Sequence, residues 1–463
     1  MTKAVYAGYP TAFVYKEPNG RSNKIGHLLW GTWIEHQEEE DGNWAKVRIR
    51  GWDLNRQKKI GWMRKSDFQE NRVVEVYFVD VAQGDGCLVI TPDNKFHLID
   101  AGEGRNMAAF LRWKFNLRRF PGNITFENTI ISHSDSDHYK GFLEVVKEPK
   151  VRFRNVYHNG LVERVGDDLL GARDGDFCTD VVVDDAALDA IIGDPVKVGR
   201  KNYPTLMKKL RENGASIKML CSEDQFLPGY DQNSDLKIHV LAPVPNQDDA
   251  GNRTMRWFGN NGKTKNGHSV VLKLEYGNVK ILLGGDLNIP AENHILEHYT
   301  GINPETANAA QLKTLITEAR KTFQVDVAKA CHHGSADFTS VFLQSLNNSA
   351  ATVISSGDEE PHAHPRPDAV GALGKFGRGN RPLIFSTELA RSTRDLIIKA
   401  NPTKEELGRT VAVYGMMDLR TDGEKVVIAQ KLEQAAPRGE WDFYELKPDA
   451  KGVLGYKSKH DAD

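Results

Sequence analysis

Four side chains of metal-ligand type fall within six positions in Ile131-Ser132-His133-Ser134-Asp135-Ser136-Asp137-His138. Imidazole and carboxylate bind zinc and similar divalent ions, and a short turn after a strand aims alternate side chains at two neighbouring ions. The alternative is a solvated polar turn. Farther along, Leu282-Leu283-Gly284-Gly285-Asp286 brings a carboxylate out at the end of an apolar strand. A histidine pair follows in Lys329-Ala330-Cys331-His332-His333-Gly334-Ser335, after the short strand Val325-Asp326-Val327-Ala328, and His362-Ala363-His364-Pro365 adds another. Any one of these histidines alone reads as a satisfied structural residue; with the first cluster, His332, His333 and His364 read as functional. Two divalent ions about 3.5–4 Å apart acidify a shared water to hydroxide, polarise an ester and steady its leaving oxygen. The serines of the loop have no base spaced to activate them and are not read as nucleophiles.

Strands and helices must hold these residues in place. Val76 to Val81 and Phe96 to Asp100 are near-continuous apolar runs bearing an aspartate at or near their ends, as central strands of a covered sheet do. Asn128 to Ser132, Leu236 to Leu241, Ser269 to Tyr276 and Lys280 to Leu283 read as further strands. Arg105 to Phe120, Tyr203 to Asn213 with its Gly214 stop, and Pro290 to His298 read as helices. This mixture predicts a layered α/β body over residues 73–435, followed by a C-terminal tail at 436–463. Residues 161–201, with an acidic patch at Asp180 to Asp189, and 245–267 exceed normal connection lengths and read as insertions. Residues 1–70 are instead short strands broken by Pro18-Asn19-Gly20 and Asp41-Gly42-Asn43, which predicts a small all-β barrel. Five tryptophans lie there (Trp30, Trp33, Trp44, Trp52 and Trp62), either lining a groove for a peptide or glycan or filling the small core.

The motifs occur in a telling order: Asp80-Val81-Ala82-Gln83-Gly84-Asp85, Leu98-Ile99-Asp100-Ala101-Gly102, His133 to His138, Leu283-Gly284-Gly285-Asp286, His332-His333-Gly334-Ser335 and His364-Pro365. This set resembles the metallo-β-lactamase fold and, within it, the competence-protein (ComEC-type) hydrolase branch. Gly26-His27-Leu28, Gly42-Asn43-Trp44-Ala45-Lys46-Val47 and Gly61-Trp62-Met63 resemble a bacterial Src-homology-3-like domain. The resemblance implies an α/β chain, an αββα metallo-β-lactamase sandwich preceded by a small all-β barrel. It also implies a hydrolase with two divalent ions, zinc or manganese. His133 and Asp135 would bind one ion, with Asp135 where the wider superfamily usually has histidine, a harder ligand that makes manganese plausible. Asp137 and His138 would bind the other, joined by His332 or His333, and Asp286 would bridge both. Asp100 would orient ligands from beneath the loop. His268, in Asn266-Gly267-His268-Ser269, is a candidate third ligand of the first ion. His364 would hydrogen-bond a phosphoryl oxygen or protonate the leaving group, so Asp137, Asp286 and His364 form the expected catalytic set.

Charge narrows the substrate. Among 463 residues, Lys+Arg 61 against Asp+Glu 63 gives a net charge of −2, so the chain is no uniformly basic nucleic-acid coat and any polyanion site must be local. Arg253, Arg256, Trp257, Lys263 and Lys265 precede the His268 region and form a basic, aromatic-bearing loop suited to a phosphodiester strand. Arg105, Arg112, Lys114, Arg118 and Arg119 make a second patch, and Lys375, Arg378 and Arg381 a third; the alternative for each is solvated surface. The expected function is therefore a phosphodiesterase, a nuclease on DNA or RNA. A phosphorylcholine-esterase-like or other small-ester hydrolase is the first alternative, and a non-catalytic metal-bound scaffold the second. The N-terminal domain is expected to engage a protein partner. No run approaches a membrane span, the N-terminus lacks a signal peptide's apolar stretch, and the four cysteines form no CxxC pair, all of which point to the cytoplasm. A cytoplasmic nuclease carrying a recognition module would suit a toxin or an anti-phage effector.

Overall fold

The computed structural model describes residues 4–49, 59–119, 121–346, 349–357, 362–387, 412–436 and 439–457. The first unit, Ala4 to Gln69, is an antiparallel all-β sheet of seven described strands. In Trp44–Ile49 burial alternates, so Ala45, Val47 and Ile49 face a small core shared with Val5, Val14, Leu28, Ile34 and Met63. The tryptophans differ in their exposure. Trp30 is buried and donates its indole N–H to Gln69 at 2.6 Å, whereas Trp33 is 48% exposed. Trp44 and Trp62 are half-buried, and Trp52 lies outside the described residues.

The body is built from two facing sheets. In the larger, the order is Ser216–Met219, Val151–His158, Ile124–Ile130, Phe96–Ala101, Gly86–Ile90, Val74–Phe78, Met417–Thr421, Val426–Ala436, Gly439–Pro448 and Leu454–Tyr456. Phe96–Ala101, Ile124–Ile130, Val151–His158 and Ser216–Met219 run parallel, and the remaining pairs are antiparallel. The smaller sheet is ordered Leu236–Ala242, Val271–Tyr276, Val279–Leu283, Val327–Lys329, Ala351–Ile354 and Leu383–Ser386. Val76, Phe78, Val89 and Ile99 pack against Leu272, Leu274, Ile281 and Val353 between the sheets. Each outer face is covered by helices: Asn106–Phe115 and Asn202–Glu212 on one side, Ile289–Thr300 and Ala309–Phe323 on the other. Helix, sheet, sheet and helix thus form four layers, behind an all-β N-terminal unit. Strands buried on both faces read as near-continuous apolar runs, which is why Val74–Phe78 and Gly86–Ile90 contain no exposed position.

One expectation is corrected here. Residues 436–463 are not simply a tail: Gly439–Pro448 pairs with Val426–Ala436, and Leu454–Tyr456 pairs with it in turn. The insertions 161–201 and 245–267 also pair with each other. Phe177 pairs with Arg256 and Cys178 with Met255, so the two close into one small sheet. The two main units also share a core, since Leu29 and Trp30 pack with Val73 and Tyr77. Arg420 crosses that junction, donating to the carbonyls of Leu29 and Trp30 and to Thr32 Oγ1. On the far edge His27 Nδ1 accepts the Glu440 N–H at 2.9 Å, and the Trp441 indole donates to the His27 carbonyl at 3.1 Å.

Candidate metal centre

Parallel strands of both sheets end at one rim, and the chemistry-bearing residues follow directly from those ends. Asp100 lies in Phe96–Ala101, His133 to His138 follow Ile124–Ile130, Asp286 follows Val279–Leu283, and Lys329 closes Val327–Lys329. The Asp80 to Asp85 turn leans on the metal-type loop, with Gly84 at φ +109° and a would-be Cβ 1.7 Å from the Asp137 carbonyl oxygen; no other residue fits there. Asp100, His332 and His333 all hold left-handed backbone (φ 54°, 47° and 54°), at roughly 1–2 kcal/mol each.

His138, His333, Asp286 and Asp85, all buried, offer ligand atoms that lie within 4.8 Å of one another. The His138 Nδ1–H donates to Asp100 Oδ2 at 2.8 Å, and the His333 Nδ1–H donates to the Ser355 carbonyl at 3.0 Å. With both Nδ1 protons committed, the two Nε2 lone pairs face each other at 3.3 Å, and each lies close to Asp286 Oδ2, at 3.2 and 3.1 Å. Acceptors converge in this way only around a cation or a proton, and the imidazole–carboxylate pairing is the one that orients metal ligands. Asp137 flanks the cluster, 3.4 Å from His333 Nε2, and takes a hydrogen bond from Gln83 at 3.1 Å. Buried Asp85 Oδ1, Asp286 Oδ1 and His133 Nε2 have no hydrogen-bond partner among the described residues. The donor set of two imidazoles and three carboxylates fits a divalent ion.

Electrostatics tell the same story. Burial pushes the His138 and His333 imidazoles down, but Asp286 and its neighbouring carboxylates outweigh it and raise both well above the usual range. Burial pushes Asp286 and Asp137 up, yet the same histidines hold both carboxyls below their ordinary value. Burial and the neighbouring His138 push His133 down, leaving it neutral.

The other sequence-predicted residues divide. Asp100 lies beneath the loop, accepting the Ser132 N–H at 2.7 Å and the Ser132 hydroxyl at 2.6 Å. His332 is half-buried with Nε2 4.0 Å from Asp286, and His364 sits beside it with ring centroids 5.8 Å apart. His268 does not join the cluster: its Nε2–H donates to the Arg256 carbonyl at 2.7 Å and its ring stacks on Phe258, because the helix Asn261–Gly267 ends just before it and turns the ring away. Asp135 is held by Lys265, which also bonds Glu163 at 3.2 Å, so Lys265 is not a free strand-binding cation. Arg253 pairs with Glu223 at 2.7 Å, and the Trp257 ring is covered by Arg173 at 4.3 Å. Arg256 and Lys263 are exposed. Within the second basic patch, Arg112 bonds Glu148 at 2.7 Å and Lys114 bonds Glu75 at 3.0 Å, so these two serve packing. In the third, Arg378 bonds Asp326 at 2.7 Å. Asp85, Lys329 and Glu163 are site residues that the sequence does not single out. Asp85 sat inside a recognised turn motif, and Lys329, which bonds Asp85, was legible only as a lone cation inside an apolar strand.

No protein-family model matches the chain. ComE operon protein 3 of Bacillus subtilis (strain 168) is 24% identical over 314 residues, 65% of this chain and 30% of that protein, so the chain spans under a third of that relative's length. Among solved structures, Tm1679, a metal-dependent hydrolase of the beta-lactamase superfamily, is 12% identical over 68% of this chain and 95% of its own, with a TM-score of 0.33. Zn(2+)-bound PqqB from Methylobacterium extorquens is 8% identical over 66% of this chain and 85% of its own, with a TM-score of 0.30. These structural likenesses are distant and carry no argument about activity. Among the described residues no helix is long and apolar enough to cross a membrane.

Proposed function

We propose that the chain is a metal-dependent hydrolase of phosphate esters, a phosphodiesterase acting on nucleic acid. The observation that carries this reading is the convergence of the His138 and His333 Nε2 atoms on Asp286, with Asp85 and Asp137 alongside and both Nδ1 protons already committed. A divalent ion, when bound, supplies the Lewis acidity that acidifies water and polarises a phosphoryl oxygen. The chain's own part is to hold that charge in place. Asp100 and the Ser355 carbonyl fix two imidazole tautomers, and Asp85, Asp137 and Asp286 supply the hard oxygen donors that suit zinc or manganese. His364, beside His332 at the half-buried lip, would give a proton to a leaving oxygen. Arg256 and Lys263 remain exposed on the segment that leads to Lys265, and would meet the phosphate backbone.

A small-ester hydrolase is the second reading. It is favoured by the internal pairing of Arg253 and Lys265, which thins the basic surface a strand would need. The N-terminal unit, with Trp33 exposed, is proposed to dock a protein partner. The deciding experiment offers plasmid, single-stranded DNA, RNA and bis-p-nitrophenyl phosphate to the purified chain with Mn²⁺, Zn²⁺ or Mg²⁺. Cleavage of nucleic acid, lost in both Asp137→Ala and His138→Ala, is expected; cleavage of the small ester alone supports the second reading. Activity unchanged in both variants refutes the metal-centre assignment.

A further inference from the structure

The two insertions deliver a cation to the site from outside the hydrolase core. Their pairing through Phe177 and Arg256 sets up the helix Asn261–Gly267, which Asn260 caps by accepting the Lys263 N–H at 2.8 Å. From that helix Lys265 reaches Asp135, and Glu163, from the other insertion, accepts from the same ammonium at 3.2 Å. The Lys265 side chain is 16% exposed, so it is built into the structure and does not wave in solvent. Asn266, oriented with its NH₂ toward acceptors, donates to Asp135 Oδ2 at 2.7 Å and to the Gly262 carbonyl at 3.1 Å. Asp135 Oδ2 stands 3.9 Å from the unpartnered His133 Nε2, where the resemblance puts the first of two ions. That position is not short of donors. What distinguishes it is a resident positive charge, and an ammonium and a dication cannot share one carboxylate without strong repulsion.

We propose that the Lys265 ammonium takes the place of one of the two divalent ions, so that the chain carries a single ion, at the cluster of Asp85, His138, Asp286 and His333. This rests on reading that cluster as a metal site. An ammonium has three N–H donors; Asp135 and Glu163 take two, leaving one for an anionic oxygen of the substrate. His268 fits the same picture, since the residue expected to complete a first metal site is committed to the Arg256 carbonyl.

The test counts ions. The purified chain is loaded with Mn²⁺, freed of excess, and its metal measured by elemental analysis alongside its electron paramagnetic resonance spectrum. The wild type is expected to hold one ion per chain with an isolated six-line signal. Lys265→Met is expected to rise to two with an exchange-coupled signal, and Lys265→Arg, which keeps the cation, to stay at one. Two coupled ions in the wild type overturn the proposal, as does a folded Lys265→Met that still binds one. No ion in the wild type overturns the underlying metal reading instead. Should Lys265→Met fail to fold, the wild-type count and spectrum still decide.

Discussion

Two clusters of buried charge lie in the same body and are built on opposite terms. At the junction with the N-terminal unit, Glu75 accepts from Arg72 at 2.6 Å, from Lys114 at 3.0 Å and from the Tyr77 hydroxyl, while Asp418 accepts twice from Arg420 at 2.8 and 3.0 Å. None of these side-chain atoms is left without a partner. Burial pushes the Glu75 carboxyl up, but Lys114, Arg72 and Arg420 outweigh it and hold it well below the usual range. At the strand ends, by contrast, Asp85, Asp286 and His133 each keep a buried polar atom with no hydrogen-bond partner among the described residues, and acceptor faces acceptor. A network that satisfies itself is made for the fold; one that leaves converging donors unmet is made for a group from outside.

Removing one partner from the closed network should cost most. Arg420→Met leaves Asp418 and Glu75 short of a counter-charge and cuts the ties to Leu29 and Trp30, so stability should fall by about 3–5 kcal/mol in denaturant titration. A loss below about 1 kcal/mol would erase the distinction between the clusters. Next comes Glu292, a buried carboxyl in a third setting, which burial pushes up to about 8 although it accepts from the Thr339 N–H. The folded state keeps that proton to about pH 8, whereas the unfolded chain releases it near 4.5, so this term weakens stability as pH rises between those values. Glu292→Gln should remove that slope and gain on the order of 3 kcal/mol at pH 7; an unchanged slope would place its titration elsewhere.

The open cluster should behave in reverse. A divalent ion at 100 times its dissociation constant should stabilise the chain by about 2.7 kcal/mol, reversed by chelator, while Arg420→Met keeps that increment despite its lower baseline. A melt indifferent to Mn²⁺ and Zn²⁺ would deny the cluster its ligand. Smallest is the effect of a positioning residue: Asp100→Asn should weaken ion affinity roughly 10–100-fold in calorimetric titration by loosening the His138 tautomer. Wild-type affinity in that variant would reduce Asp100 to a packing role.

What sequence made visible was whatever is local. Asp100, Asp286 and the His133 to His138 loop follow apolar strands directly, so their place at strand ends could be read from the runs before them. The layered α/β body was legible for the same reason. What depends on distant partners was not. The reach of Lys265 to Asp135 requires two insertions about 80 residues apart to pair, and periodicity has no handle on that. His268 lies next to the site in the chain, but a helix end turns its ring onto Phe258, a direction that adjacency does not encode. Arg112 and Lys114 looked like a charged surface, yet Glu148 and Glu75 come from other elements. The strands after residue 436 escape a sequence reading because Gly439–Pro448 carries half-buried, mixed sequence in place of a continuous apolar run.

The closed network also sets an order of events during synthesis. Arg420 bonds Tyr77 from 343 residues farther along the chain. At roughly 5–20 residues per second, a ribosome makes the arginine some 20–70 s after the tyrosine. For that interval Glu75 can draw on Arg72, the Tyr77 hydroxyl and, later, Lys114 but not on Arg420, and the strand Val74–Phe78 has an open edge where Met417–Thr421 will pair. The nascent chain therefore carries an unsealed seam between these two units until Met417–Thr421 has emerged, a window in which a chaperone or a premature neighbour would find its opening.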